Sequence, residues 1–280
     1  GFSKAYVNRF IRPFYGGIFL DRSLKTSAKC FKFDFKMLAE GYAVVPAGGI
    51  GAIAEQLAES LNKTGKIRVA SIVQSLVRGE RGEVQGVKLS DGTMLEADLV
   101  VLSVPAPEAA RLTGLEMPKG QTSTINIYWQ GRKPVYSGAK LVLNANPKPF
   151  VNNAVLLTNV APDYAPPGKH LLSATVVGLP EGDDESIYRQ AMADLRKMFA
   201  GDAAALDALG GYAPLGLYRI PYGQFPQPPG VHPMLPDNVS GILNLYFASE
   251  FTEASSQNAA MISGEKCAEL VLSLSNSVAA

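Results

Sequence analysis

Cysteine and histidine are scarce: Cys30, Cys267, His170 and His232 are all that 280 residues contain, far apart and without ligand spacing. That scarcity excludes a disulfide framework and leaves no structural metal site to assign. Two buried thiols are the expected state, because free cysteine packs as a small apolar side chain, with a single bridge as the alternative. Long apolar runs are missing as well. None approaches the roughly 18 residues that cross a bilayer, and no basic segment precedes an apolar stretch at the start. A soluble, cytoplasmic protein without a membrane span is the expectation. Charge excess is also absent: 26 Lys and Arg stand against 25 Asp and Glu, mixed along the chain. The formal net charge of +1 offers no concentrated positive field for a phosphate backbone or an anionic bilayer, which argues against nucleic acid as a partner. There is no initiator Met. Gly1-Phe2-Ser3-Lys4 runs at once into Tyr6, Val7, Phe10 and Ile11, near-helical apolar spacing that needs a packing partner, as expected of a chain that begins in mid-protein.

What is present is apolar bulk. With 47% hydrophobic and 18% charged residues the chain can bury one large core or two smaller ones, so a globular protein is the default. Four regions follow one another without repeats or low-complexity linkers. The first, to about Gly41, carries the loop signal Pro13-Phe14-Tyr15-Gly16-Gly17 and then Phe31, Phe33 and Phe35 at alternating positions. The second opens on Val44-Val45-Pro46-Ala47-Gly48-Gly49. There Ile50, Ile53, Leu57 and Leu61 recur at helical spacing opposite Glu55 and Glu59, which predicts an amphipathic helix. Strands are expected at Ile67–Val77, Val84–Leu89 and Met94–Leu95, the last two joined by an Asp91-Gly92 turn whose residues tolerate positive φ. Asp98–Pro105 then reads as a short strand buried on both faces.

The third region, about 107–236, alternates strand patterns (124–130, 140–143, 154–158 and 170–177) with Pro- and Gly-rich turns. It holds one predicted helix at Glu185–Phe199, capped by Asp183 or Asp184, with Ile187, Met192, Leu195, Met198 and Phe199 facing the core. Prolines concentrated in Pro214–Pro236 predict an extended connection rather than a helix or central strand. The fourth region is an apolar strand, Ile242–Ala248, a polar turn, and a helix from about Ser256 to Leu274. Met261, Ile262, Ala268, Val271 and Leu272 are its expected buried side.

Two segments carry candidate chemistry. Gly49-Ile50-Gly51-Ala52-Ile53-Ala54 fits the dinucleotide pattern G-x-G-x-x-G/A at a helix start, where backbone amides can hold a pyrophosphate. The pattern lacks its usual context: Pro46 cuts the preceding strand short, and no acid for a ribose lies in Arg68–Gln74. Close packing of a helix start is the other reading. The second segment runs from Leu245 through Glu250 to Gly264. A carboxylate at a strand end can accept a hydrogen bond from a ribityl hydroxyl, and small residues at a helix start let amides approach a flat ring. The positive end of such a helix favours the negative charge that a flavin gains on taking a hydride. A surface acid before an ordinary Ser-capped helix is the competing interpretation.

This last segment resembles the C-terminal FAD motif of the amine oxidase and phytoene desaturase superfamily: a strand ending in G-D or G-E, a turn, then S-x-x-G-A-x-x-S-G. Glu250 fills the acid position, and Ser256, Ala260, Ser263 and Gly264 match; Ser249 and Ala259 depart from the usual glycines. Asn8-Arg9-Phe10, Gly16–Asp21, Thr26-Ser27, Met37–Gly41 and Pro46–Gly51 resemble the middle segment of phytoene-desaturase-like enzymes, so nearly the whole chain is covered. Asn159–Ala165 and Gly168–Leu172 have the look of the family's substrate-domain sheet.

The resemblance implies an α/β and α+β fold, with an incomplete Rossmann-like FAD-binding domain (42–106 and 237–274) and a mixed-sheet substrate-binding domain (1–41 and 107–236). It implies cofactor contacts from Gly49, Val73, Glu250, Gln257, Asn258, Ala260 and Met261, Val73 lying on the strand whose backbone meets adenine. The function implied is that of an FAD-dependent oxidoreductase fragment lacking the N-terminal dinucleotide-binding motif. The parent reaction is hydride transfer from a C–C or C–N bond to flavin, on an apolar or amine small-molecule substrate. FAD belongs to the parent family, with binding by this fragment weak or absent; catalytic residues are unknown and no metal is called for. Phe31, Phe33, Phe35, Tyr128 and Trp129 are compatible with an apolar pocket or with a core. The alternative is a cofactor-free binding or structural module, and a homodimer through surface left bare in the incomplete domain is expected in either case.

Overall fold

The computed structural model describes residues 1–63 and 65–278, with side chains described to residue 274. In chain order the helices are α1 (Lys4–Tyr6), α2 (Arg12–Ile18), α3 (Ala28–Glu40), α4 (Gly51–Leu61), α5 (Ala106–Thr113), α6 (Asp184–Met198), α7 (Ala203–Gly210) and α8 (Gln257–Val278). A π-helical stretch, Val7–Ile11, joins α1 to α2. The strands are β1 (Val73–Arg78), β2 (Val84–Leu89), β3 (Met94–Glu96), β4 (Val100–Leu102), β5 (Thr122–Gly131), β6 (Leu141–Leu143), β7 (Asn153–Leu156), β8 (His170–Val177), β9 (Ala213–Gln224) and β10 (Leu245–Phe247). They fall into two compact units, one of Gly1–Lys66 with Gln121–Gly223, the other of Ile67–Gly120 with Gln224–Ala280.

The first unit is built on a five-stranded sheet ordered β6-β7-β8-β5-β9. Alternation puts Ile125, Ile127 and Trp129 of β5 on one face, opposite Val176, Ala174 and Leu172 of antiparallel β8. Ile187, Ala191 and Leu195 of α6 and Ala205, Ala208 and Leu209 of α7 cover that face. Asp183 caps α6 by accepting from the Ser186 amide at 2.8 Å. Gly131 is required where it stands, because a Cβ there meets the Tyr212 ring at 2.3 Å. The proline-rich stretch begins as β9 at the sheet edge, where a missing amide is tolerated.

Several expectations are corrected in this unit. Phe31, Phe33 and Phe35 lie on α3, a helix whose Ser27 cap accepts from the Lys29 amide. Trp129 is core at 1% exposure, whereas Phe33 and Phe35 face solvent. The predicted α4 forms, but Ile50, Ile53, Leu57 and Leu61 are all exposed, so its apolar stripe is not core. On α3, burial pushes the Asp34 carboxyl upward in pKa. Burial and then the Asp34 charge do the same to the Cys30 thiol and the Tyr15 phenol. Cys30 is half-buried rather than buried, whereas Cys267 is buried.

The second unit pairs β1-β2-β3 antiparallel and β10 with β4 in parallel. Asp91-Gly92 turns β2 into β3 as expected, Gly92 at φ +89°. Gly86, at φ +151°, lets β3 approach so closely that a Cβ meets the Leu95 carbonyl oxygen at 2.1 Å. The predicted Ile242–Ala248 strand shortens to β10 because Asn244 turns left-handed at φ +65°. Asn244 makes use of the turn: its carbonyl accepts from the Val100 amide at 2.8 Å and its side-chain amide donates to the Val84 carbonyl at 3.3 Å. β4 is buried on one face only, Val101 being 40% exposed, because its sheet is a two-stranded pair.

Candidate functional site

In an open parallel sheet, ligands bind beyond the carboxyl ends of the strands. At that end of the β4–β10 pair, the Ala248 amide continues the ladder to the Leu102 carbonyl at 3.0 Å. The Ser249 hydroxyl donates to the Val104 carbonyl at 2.9 Å. Ser249, where the resemblance has glycine, therefore ties two strand ends together and is itself buried. A 3₁₀ turn, Glu250–Thr252, follows. Phe251 anchors it: fully buried, it meets the Phe247 ring edge-on at 5.3 Å between centroids.

Anchoring Phe251 leaves Glu250 half-buried, with its carboxylate accepting from the Ser255 hydroxyl at 2.5 Å. The Ser255 amide donates to the Gln227 side-chain oxygen at 3.1 Å, and both residues are buried. Ser256 caps α8: its hydroxyl accepts from the Ala259 amide and its carbonyl from the Ala260 amide. Gln257 and Asn258 are exposed at the start of the helix. A carboxylate beside a helix N-terminus can accept from hydroxyl donors while the helix amides face an anionic group.

The rotation of α8 is set by polar contacts rather than by its largest apolar side chains. Ser263 is fully buried; its carbonyl and hydroxyl oxygens each take a hydrogen bond from the Asn238 side-chain amide at 3.1 Å. The Thr252 hydroxyl pairs with that of Ser263 at 2.8 Å. The inward side is thus Ala259, Ser263 and Cys267. The expected inward side is corrected: Met261, Ile262, Ala268 and Leu272 are exposed and Val271 is half-buried. Ala259, the second departure from glycine, packs into its own unit.

Glu250, Gln257, Asn258, Ala260 and Met261 therefore share one turn and helix start, Ala260 half-buried and Met261 exposed. Val73 opens β1 of the same unit; Ile72 lies outside the strand. The Val73 carbonyl accepts from Arg111 Nη2 at 3.1 Å and that of Gln74 from Nη1 at 2.8 Å. Glu108 holds the guanidinium with contacts of 2.8 and 2.6 Å, and the two partners move apart in pKa, Arg111 up and Glu108 down. Sequence reasoning missed Arg111; the i, i+3 pairing of Glu108 and Arg111 was its visible signal. Gly49 belongs to the other unit. It sits at φ +90°, its amide bonded to the Pro46 carbonyl at 3.0 Å, and residues 42–46 form no strand before it. No group of His, Cys, Asp and Glu that could hold a metal occurs among the described residues.

The fold is similar to that of an oxidoreductase from Methanosarcina mazei, with a TM-score of 0.71 and 20% identity over 92% of this chain and 64% of that one. It is also similar to a putative protoporphyrinogen oxidase from Exiguobacterium, with a TM-score of 0.64 and 18% identity over 80% of this chain and 51% of that one. These likenesses define the class as a mixed α/β fold shared with oxidoreductases. Residues 1–272 match the flavin containing amine oxidoreductase family, and the chain belongs to it. The 15-cis-phytoene desaturase of Solanum lycopersicum is 23% identical over an alignment of 229 residues that covers 75% of this chain and 39% of that protein. The chain thus spans about two fifths of that relative and under two thirds of the M. mazei structure.

Proposed function

We propose that this chain is part of a flavin-dependent oxidoreductase, and that the turn and helix from Glu250 to Gly264 bind the flavin side of FAD. One observation carries the reading: a parallel strand pair delivers a half-buried carboxylate at its carboxyl end, directly before a helix N-terminus. FAD, when bound, would supply the two-electron chemistry, accepting a hydride from a C–H carbon of an apolar or amine substrate while a proton leaves the adjacent C or N, so that the C–C or C–N bond becomes double. Glu250 accepts a hydrogen bond from a ribityl hydroxyl while Ser255 fixes its rotamer. The amides of Gln257 and Asn258 and the α8 dipole favour negative charge beside them.

The same reading assigns 42–106 and 237–274 to an incomplete Rossmann-like FAD domain, and 1–41 and 107–236 to substrate binding. Val73 contributes an adenosine-side contact, whereas Gly49 lacks the context of a pyrophosphate cradle, since no strand precedes it and no acid lies in Arg68–Gln74. FAD is therefore held weakly or not at all by this chain alone. An absorbance scan after gel filtration tests that: a stoichiometric flavin band would overturn weak binding. Added FAD whose fluorescence stays unchanged even with the complete protein at saturation would favour a cofactor-free module instead. Exposed Val101 of β4 and Leu272 of α8 support a homodimer through this unit, read by light scattering over a tenfold concentration range.

A further inference from the structure

Residues 1–41 carry eight Lys and Arg against three Asp and Glu, a net of +5, while the rest of the chain sums to −4. The near-neutral total hides a segregated charge, so the mixing expected from the whole sequence fails for this segment. The fold puts Lys4, Arg9, Lys25, Lys29, Lys32 and Lys36 on the surface. Lys29, Lys32 and Lys36 follow the i, i+3, i+7 spacing that lines one side of α3. Lys36 approaches Glu40 at 3.9 Å with both side chains more than half exposed, a contact too open to neutralise the stripe.

The same helices carry a continuous run of rings. Phe2 meets Tyr6 at 5.1 Å between centroids, Tyr6 meets Phe10 at 5.3 Å, and Phe10 meets Phe14 at 5.2 Å. Phe14 contacts Tyr15 at 5.1 Å, Tyr15 contacts Phe31 at 4.7 Å, and Phe31 contacts Phe35 at 5.9 Å. Tyr15 in the middle is buried, yet the ends are open, Phe2 at 63% and Phe35 at 53% exposure. Phe33, half exposed, flanks the lysine stripe on its other side. Apolar surface of this kind marks an interaction site.

Charge decides what it meets. A second copy would set two +5 segments face to face, and lysine is depleted in protein–protein interfaces because its strongly hydrated head resists burial. At a lipid boundary the same lysine is favourable: the stem lies along apolar surface while the ammonium stays among anionic headgroups. We propose that residues 1–41 form a docking surface for an anionic lipid bilayer, with Phe2, Phe10, Phe33 and Phe35 entering the headgroup boundary and Lys29, Lys32 and Lys36 facing lipid phosphates. No helix among the described residues is long and apolar enough to cross a membrane, so this surface attaches to one leaflet.

The whole chain, sedimented with vesicles of phosphatidylcholine alone or mixed with phosphatidylglycerol, tests this. It should pellet with the anionic vesicles, release with added salt, and stay in solution with the neutral ones. Lys29→Gln, Lys32→Gln and Lys36→Gln together should lower the partition constant about a hundredfold, at the usual contribution per basic residue. Phe33→Ser with Phe35→Ser should lower it as well. Should the Phe variant lose its circular dichroism, the Lys variant, altered only at exposed side chains, decides. Equal binding to both vesicle types, no binding to either, or no effect of the Lys changes would overturn the proposal. Self-association in buffer that the Phe variant abolishes would assign the surface to a second copy and overturn it too.

Discussion

The Ser255 hydroxyl donates to the Glu250 carboxylate at 2.5 Å, closing the turn between β10 and α8 while Gln227 holds the Ser255 amide. Glu250 is thereby presented in a fixed rotamer at the strand end rather than left as a mobile surface acid. An ionised carboxylate is acceptor-only, so a ligand hydroxyl meets it as donor.

Glu250→Gln keeps the side-chain shape and an acceptor oxygen for Ser255. Thermal stability of this chain without FAD should change little, whereas the FAD affinity of the complete protein should fall about tenfold to a hundredfold, the range for losing a charge-assisted hydrogen bond. Melting curves and a fluorescence titration with FAD read the two effects separately. A drop in melting temperature with unchanged affinity would make Glu250 a fold-stabilising acid.

Asn238→Ala removes the donor that satisfies the Phe247 carbonyl at 2.7 Å and both Ser263 oxygens. With Asn238 and Ser263 buried, the cost should be about 1–3 kcal/mol. A shifted urea midpoint at unchanged slope is the expected signature. A shift too small to measure would mean that α8 is positioned by its apolar contacts instead.

Tyr212 gives a pH dependence whose sign is fixed. Burial, followed by the nearby Tyr136, pushes its phenol from 10.0 up to about 12, and the hydroxyl donates to the Lys133 carbonyl at 3.0 Å. The folded state holds this proton more tightly than the unfolded chain, so its stabilisation is complete below pH 10 and is lost as pH rises toward 12. Tyr212→Phe should cost about 0.5–1.5 kcal/mol at neutral pH and flatten this alkaline decline. An unchanged alkaline decline in the variant would show that other groups cause it.

Local signals made much of the fold legible. Asp183 before an apolar period of 3.6 located α6, and Asp91-Gly92 fixed a hairpin, because caps and turns satisfy backbone groups within a few residues of themselves. The β8 pattern at 170–177 was readable for the same reason. Helices α5 and α7 were missed: they are short, and Pro105 and Asp202 as start signals are weak without a long apolar period behind them.

The sequence by itself determined the capped helix α6, the β2–β3 hairpin, and the acid, turn and helix order from Leu245 to Gly264 that carries the family resemblance. Tertiary structure alone decided which side of each helix is inward. Met261, Ile262 and Leu272 were the apolar choice for the buried side of α8, yet Ser263 took it, because Asn238 and Thr252 offer hydrogen bonds that a buried position must satisfy. The segregation of charge and aromatic rings over residues 1–41 likewise becomes a surface only once α2 and α3 meet through Tyr15 and Phe31. Periodicity ranks side chains by their transfer from water, whereas the rotation of a helix is set by the partners across from it, which lie far away in sequence.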